Sequence, residues 1–96
     1  MSAQSMKALA SANEVRLARA ELRRDVFAGH VKASDVLMDP EAWPVASMPI
    51  YKLLTAQHRW GRSRTLRLMR DCGIPETKRI GEATERQRLL LVSYMP

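Results

Sequence analysis

The chain has 96 residues, a formal net charge of +6 and 46% hydrophobic residues. At this length it forms one small domain, with little room for a buried multi-residue active site. No apolar run of about eighteen residues is present to cross a membrane, and the N-terminus lacks the basic stretch and long apolar block of a signal peptide. A single cysteine, Cys72, leaves no partner for an intrachain disulfide and too few ligands for a structural zinc site, as expected of a chain made for a reducing compartment.

Residues 5–28 are rich in Ala, Arg, Glu and Leu, hold no Gly or Pro, and predict one long helix. Val15, Ala18, Leu22 and Val26 form its narrow apolar stripe. Before Val15 the apolar residues are mostly alanine and poorly phased. Residues 1–14 are therefore expected as a frayed helix start or an arm, and residues 15–96 as the domain. Gly29 suits the helix stop. Ser34 is positioned to cap a short helix over Asp35-Val36-Leu37-Met38. Asp39-Pro40-Glu41-Ala42-Trp43 predicts another, with Asp39 as N-cap and Pro40 in the first turn, ended by Pro44. Pro49 opens the next helix, capped by Ser47 or Met48, with Ile50, Leu53 and Leu54 on its apolar side.

A further helix follows Gly61. It turns Arg64, Arg67 and Arg70 to one side and Thr65, Leu66, Leu68, Met69 and Cys72 to the other, with Asp71 interrupting the basic side. Gly73 gives it a left-handed stop, and Ile74-Pro75 prevents continuation. Thr84 and Gln87 have the spacing of a capping box for the last helix. Leu89, Leu90, Leu91, Val92, Tyr94 and Met95 make that helix apolar around most of its circumference, which predicts a central packed helix. No segment alternates with period two, so the fold class is all-α.

Charge is distributed unevenly along the chain. Residues 1–50 hold six basic and six acidic groups, residues 51–96 ten basic and four acidic. The excess lies in the second half, among the turns, as in a polyanion binder. The candidate contacts are there. Gly61 opens a helix start whose free N–H groups carry partial positive charge, and Arg62 and Arg64 beside it are suited to bidentate phosphate contacts. Lys78-Arg79, followed by Gly81, forms a second basic turn; Arg86 and Arg88 are the basic positions of the last helix. Arg59, Trp60 and Arg67 are further candidates. Trp60 has two readings, packing over the local core or wedging into a minor groove.

Phe27, Trp43 and Tyr51 read as core or boundary aromatics. His30 and His58 belong to no catalytic arrangement, Cys72 reads as a small buried hydrophobe, and no phosphate loop, paired-carboxylate site or metal cluster is present. Neither an enzyme nor a cofactor is expected.

The order of Leu17-Ala-Arg-Ala-Glu-Leu-Arg-Arg24, Ser34-Asp35-Val36-Leu37, Leu53-Leu54, Gly61-Arg62-Ser63-Arg64, Gly73-Ile74-Pro75, Lys78-Arg79 and Glu85-Arg86-Gln87-Arg88 resembles the actinobacterial integration host factors. The resemblance covers most of the chain. It implies a long N-terminal helix and a helix-two-turns-helix unit over residues 49–94. It also implies a monomeric, non-enzymatic protein of the bacterial cytoplasm and nucleoid that binds duplex DNA with little sequence preference, bends or compacts it, and assists a recombinase. Gly61, Arg62, Arg64, Lys78 and Arg79 match the family's contact positions. The family's third arginine and following glycine are here Gly81 and Glu82, a departure that removes one contact and adds a negative charge. The segment from Trp43 to Pro49 and Arg59-Trp60 also depart from the pattern, and a phage-encoded or divergent relative fits them. Two other readings stay open on the residues alone: a structured-RNA-binding module of ribosomal-protein type, and a protein-interaction adaptor using the N-terminal helix.

Overall fold

The computed structural model describes residues 3–95, with side chains from residue 11 onward. Five α-helices follow one another: α1 (Ala3–Ala28), α2 (Ala33–Met38), α3 (Ile50–Ala56), α4 (Arg62–Asp71) and α5 (Glu85–Ser93). Two 3-10 turns, Val45–Ser47 and Ile80–Glu82, sit in the connections. The fold is all-α, a long N-terminal helix against a small helical unit, and no strand forms among the described residues.

Two helices end in the same way. At α1, His30 N–H reaches back to the Asp25 carbonyl (2.9 Å) and Gly29 N–H to Val26 (3.2 Å). At α4, Ile74 N–H bonds Met69 (2.8 Å) and Gly73 N–H bonds Arg70 (3.0 Å). These paired bonds require a left-handed residue after the last turn. Gly29 and Gly73 supply it, with φ of 83° and 68°. The start of α5 is equally specified: Gln87 N–H donates to Thr84 Oγ1 (3.1 Å) and Thr84 N–H to Gln87 Oε1 (3.0 Å).

The core is built from α2, α3, the inner side of α4 and one residue of α5. Leu37, Ile50, Leu53, Leu54, Ile80 and Leu91 are wholly excluded from solvent, with Met48, Met69 and Trp60 close behind. α1 packs along α3, and α2 against α5. A single antiparallel bridge joins Pro49 to Arg79: Ile50 N–H donates to Lys78 (3.0 Å) and Ile80 N–H to Met48 (2.9 Å). It ties the chain entering α3 to the turn after α4.

Four expectations are corrected. α2 begins at Ala33 with Lys32 as N-cap, so Ser34 lies inside it. Residues 39–44 form successive i→i+3 turns, Ala42 N–H to Asp39 (3.2 Å) among them, where a helix was predicted. A residue before proline is kept out of the α region, so Trp43 cannot extend a helix and a single turn is too short to persist. The Trp43–Pro44 peptide is cis. α5 is peripheral: Leu91 alone is fully buried in it, while Leu89 and Leu90 are 47% and 38% exposed. It meets neighbours along one side only, so an apolar circumference overstates its burial. Phe27 and Trp43 are likewise exposed, and Phe27 leans edge-on against His58 at 5.3 Å between ring centroids.

Candidate nucleic-acid interface

The first cationic cluster is the corner at the start of α4. Gly61 is its N-cap, in extended conformation (φ −78°, ψ 178°) and with no side-chain cap. Its backbone is one that any residue adopts, and a Cβ there would meet nothing within 4 Å, so the fold itself does not require glycine at this position. The reversal between α3 and α4 falls instead on Arg59, whose φ is 67°, a conformation costly for a side chain with a Cβ. The first intrahelical bond is Thr65 N–H to Gly61 (3.1 Å). The amides of Arg62, Ser63 and Arg64 therefore precede it, open to an external acceptor.

Arg62 and Arg64 diverge, as positions i and i+2 of a helix must. The Arg64 guanidinium stacks over Trp60 at 4.1 Å from the ring centroid. Trp60 itself is 6% exposed, which makes it a platform for Arg64 and removes the minor-groove wedge reading. Arg62 lies 5.9 Å from the Tyr51 ring and 3.7 Å from Glu76 in an exposed, weak ion pair. Both guanidinium groups are oriented by aromatic contact and still face solvent. Arg67, also exposed, continues the Arg64 side of α4.

At the second basic turn, Lys78 is half-buried and Arg79 is exposed. Arg79 Nη1 donates to the Ser47 carbonyl, and Glu82 Oε1 accepts from Arg79 N–H (3.1 Å). Glu82, expected only as an opposing charge, thus caps the turn that presents Arg79. Gly81 has a packing role here. A Cβ on it would come within 3.0 Å of the Ala46 carbonyl oxygen and Cβ, so the two 3-10 turns touch because residue 81 has no side chain.

Arg86 and Arg88 stand on α5, beyond the second basic turn. Arg88 is half-buried and donates to the Ala83 carbonyl, which makes it a brace for the entry to α5. Arg86 shares a depression with Glu85, Leu89, Leu90 and Ser93, where no second basic residue lies.

One cluster was not read from the sequence. Arg16, Arg19 and Arg23 of α1 converge with Lys52 of α3 and Arg79 on a trough that also exposes Pro49. No acidic side chain lines it. Arg19 Nη1 donates to Ser47 O (3.2 Å), the same carbonyl held by Arg79. A signal was available. At about 100° per residue, Arg16, Arg19 and Arg23 fall within a roughly 60° sector, while Glu14, Glu21 and Asp25 gather on the opposite side. The charges of the first half cancel in sum and are segregated in space.

Among the described residues no group of His, Cys, Asp and Glu could hold a metal ion, and no helix is long and apolar enough to cross a membrane. Cys72 is buried, its thiol pKa raised by burial and then by the neighbouring Asp71 carboxylate.

This helical arrangement has a solved counterpart. The structure described as "Structure of sIHF bound to an 8bp palindromic DNA" superposes with a TM-score of 0.82, covering 90% of this chain and 98% of that one. The two share a fold. Sequence identity is 22%, so the likeness is one of architecture. No protein-family profile and no curated protein matches the sequence.

Proposed function

We propose that this chain is a non-enzymatic duplex-DNA-binding architectural protein of the integration host factor type. It grips the sugar–phosphate backbone with little base readout and bends or compacts the duplex. The observation that carries this reading is the α4 corner: three open amides at a helix start, flanked by Arg62 and Arg64 held on Tyr51 and Trp60. Such a corner offers directed N–H donors and a helix dipole to one anion, with the two diverging guanidinium groups placed for phosphates on either side of it. Lys78 and Arg79 supply the second arm. The fold shared with a DNA-bound sIHF supports the same reading, and nothing in the corner has the spread aromatic surface that single-strand or loop-RNA recognition uses. A nucleoid role and assistance to a recombinase follow from the resemblance.

The test is retardation of random-sequence duplex over a salt series. Wild-type affinity should fall steeply and linearly in the logarithm of salt. Arg62→Ala/Arg64→Ala should weaken binding to every duplex about equally and flatten that slope by roughly two phosphate equivalents. Unchanged affinity with an intact circular-dichroism spectrum would remove the corner from the interface.

A further inference from the structure

We infer that the surface around Met38 and Trp43 is a docking site for an arginine-rich, partly apolar segment of another protein. Trp43 is 66% and Met38 55% exposed, so two large apolar side chains stand in water within six residues of sequence. Between Ala33 and Tyr51 the chain holds Asp35, Asp39 and Glu41 and no Lys, Arg or His. A protein of net charge +6 thus gathers three acids, unopposed, around its exposed tryptophan. All three carboxylates face solvent, and among the described residues none is in an ion pair. Lys32, one turn before Asp35, makes no such pair with it.

The segment is held firmly. α2 turns Ala33, Val36 and Leu37 into the core, which leaves Asp35, Met38 and Asp39 on its outer side. The turns that follow are tied in series: Asp39 N–H donates to Val36 (3.2 Å), Ala42 N–H to Asp39 (3.2 Å) and Val45 N–H to Ala42 (2.6 Å). Val45 is buried again, so both ends are anchored, and Pro40 and Pro44 restrict the backbone between them. A surface presented in this way loses little freedom on binding. Its chemistry selects the occupant. Phosphates and acidic proteins are repelled by three unpaired carboxylates, and a purely apolar segment would strip those carboxylates of water without replacing it. Arginine meets both demands. Its guanidinium stacks on an indole face and keeps donors for a carboxylate, while an apolar neighbour in the same segment covers Met38. A tryptophan ringed by polar groups is the usual centre of such an interface. Since the surface repels phosphate, it stays free when the basic faces hold a polyanion.

The probe is a short synthetic peptide of alternating arginine and leucine pairs, compared with one of equal charge in which serine replaces leucine. Tryptophan emission reads the site directly, because Trp60 is 6% exposed and acrylamide quenches Trp43 almost alone. The arginine–leucine peptide should shift the emission to the blue and protect it from acrylamide, and should bind several-fold more tightly than the serine peptide. With a dye on the peptide, Trp43→Ala and Asp35→Asn/Asp39→Asn/Glu41→Gln should each weaken binding about fivefold or more. The control, Glu14→Gln/Glu21→Gln/Glu85→Gln, removes three exposed acids from elsewhere and should bind as the wild type does. All variants should keep the wild-type circular-dichroism spectrum. The inference is overturned if the wild type does not bind the peptide at low salt, or if the control loses as much affinity as the acid variant. It is overturned in favour of a second copy of this chain if the wild type self-associates in sedimentation and Trp43→Ala abolishes that. Loss of duplex retardation by folded Trp43→Ala would place the surface in the DNA interface and overturn it too. Peptide binding is measured without DNA, so failure of the wild type to retard duplex would sink the DNA reading and leave this one standing.

Discussion

The corner at the start of α4 and the trough between α1 and α3 both present arginine to solvent, and they hold it by different means. At the corner each guanidinium rests on an aromatic ring, Arg64 on Trp60 and Arg62 beside Tyr51. Its orientation comes from stacking, and its donors remain free. In the trough, Arg19 and Arg79 are anchored by hydrogen bonds to one backbone carbonyl, while Arg16 and Lys52 are exposed and unpinned. The corner is the more local device: Trp60, Gly61, Arg62 and Arg64 lie within five residues, and only Tyr51 of α3 comes from elsewhere. The trough exists only because α1 packs on α3 and the Pro49–Arg79 bridge brings the second basic turn beside them. A site of the first kind depends on its own turn and on the packing of α3 beside α4. A site of the second kind depends on long-range packing, and the two should respond differently to perturbation.

The largest expected effect comes from breaking the joint between the 3-10 turns. Gly81→Arg would set a Cβ against the backbone of Ala46, and overpacking of this sort costs about 1–3 kcal/mol. For a domain of this size each kcal/mol is worth about 4–8 °C in Tm. Adding a positive charge at this turn, attractive on charge alone, should therefore lower Tm and weaken DNA binding, the trough suffering first because Arg79 moves with the turn. A Gly81→Arg protein that melts like the wild type and binds more tightly would show that the turn has room to shift.

A smaller effect sharpens the boundary of the interface. Arg88→Ala removes a half-buried hydrogen bond to the Ala83 carbonyl, worth about 1 kcal/mol. Tm should fall by a few degrees while the salt slope of DNA binding stays at the wild-type value. A flattened slope at unchanged Tm would return Arg88 to the contact surface.

Cys72 reports on the buried C-terminal end of α4. Burial and the adjacent Asp71 carboxylate raise its thiol pKa, so the folded protein holds the proton more tightly than the unfolded chain. The sign follows. Stability from this group is present at neutral pH and declines in the alkaline range, as the unfolded thiol ionises before the folded one. Alkylation near pH 8 should be slow in the native state and quicken only as the domain opens. Rapid labelling of native protein would show that the inner side of α4 is open to solvent.

Most of the helical order is legible in the sequence because each signal is local: the Thr84–Gln87 box, the left-handed Gly29 and Gly73, and the stripe of Ile50, Leu53 and Leu54. The misreadings share a cause, which is that a property of one segment was taken to fix its surroundings. The apolar circumference of α5 shows what could be buried, but burial also needs a neighbour on every side, and α5 has one. Gly61 and Gly81 look alike as turn glycines, yet one faces open space and the other a neighbouring backbone. Summing the charges of residues 1–50 to zero hid the segregation of those on α1 onto two sides. The bonds that Arg79 and Arg88 make to the Ser47 and Ala83 carbonyls have no trace in the sequence at all.

The smallest effect is expected from deleting residues 1–10. Among the described side chains of α1, residues 11 to 14 are exposed and Val15 is the first that is half-buried. The cations of the trough begin at Arg16. Residues 1–10 precede the apolar stripe that Val15 opens, and their apolar positions are mostly alanine, so their removal is expected to cost little. Tm and affinity for a short duplex should therefore stay within error of the wild type, although the truncated chain loses the charge of Lys7. Condensation of long DNA is the more sensitive readout, because it requires one molecule to engage duplex on two surfaces at once. If both the trough and the corner bind, condensation should persist after the deletion and disappear when Arg16, Arg23 and Lys52 are replaced by glutamine. A truncated protein that loses short-duplex affinity as severely as Arg62→Ala/Arg64→Ala would place the start of α1 in the primary grip, and the division between corner and trough would have to be redrawn with α1 as the main contact.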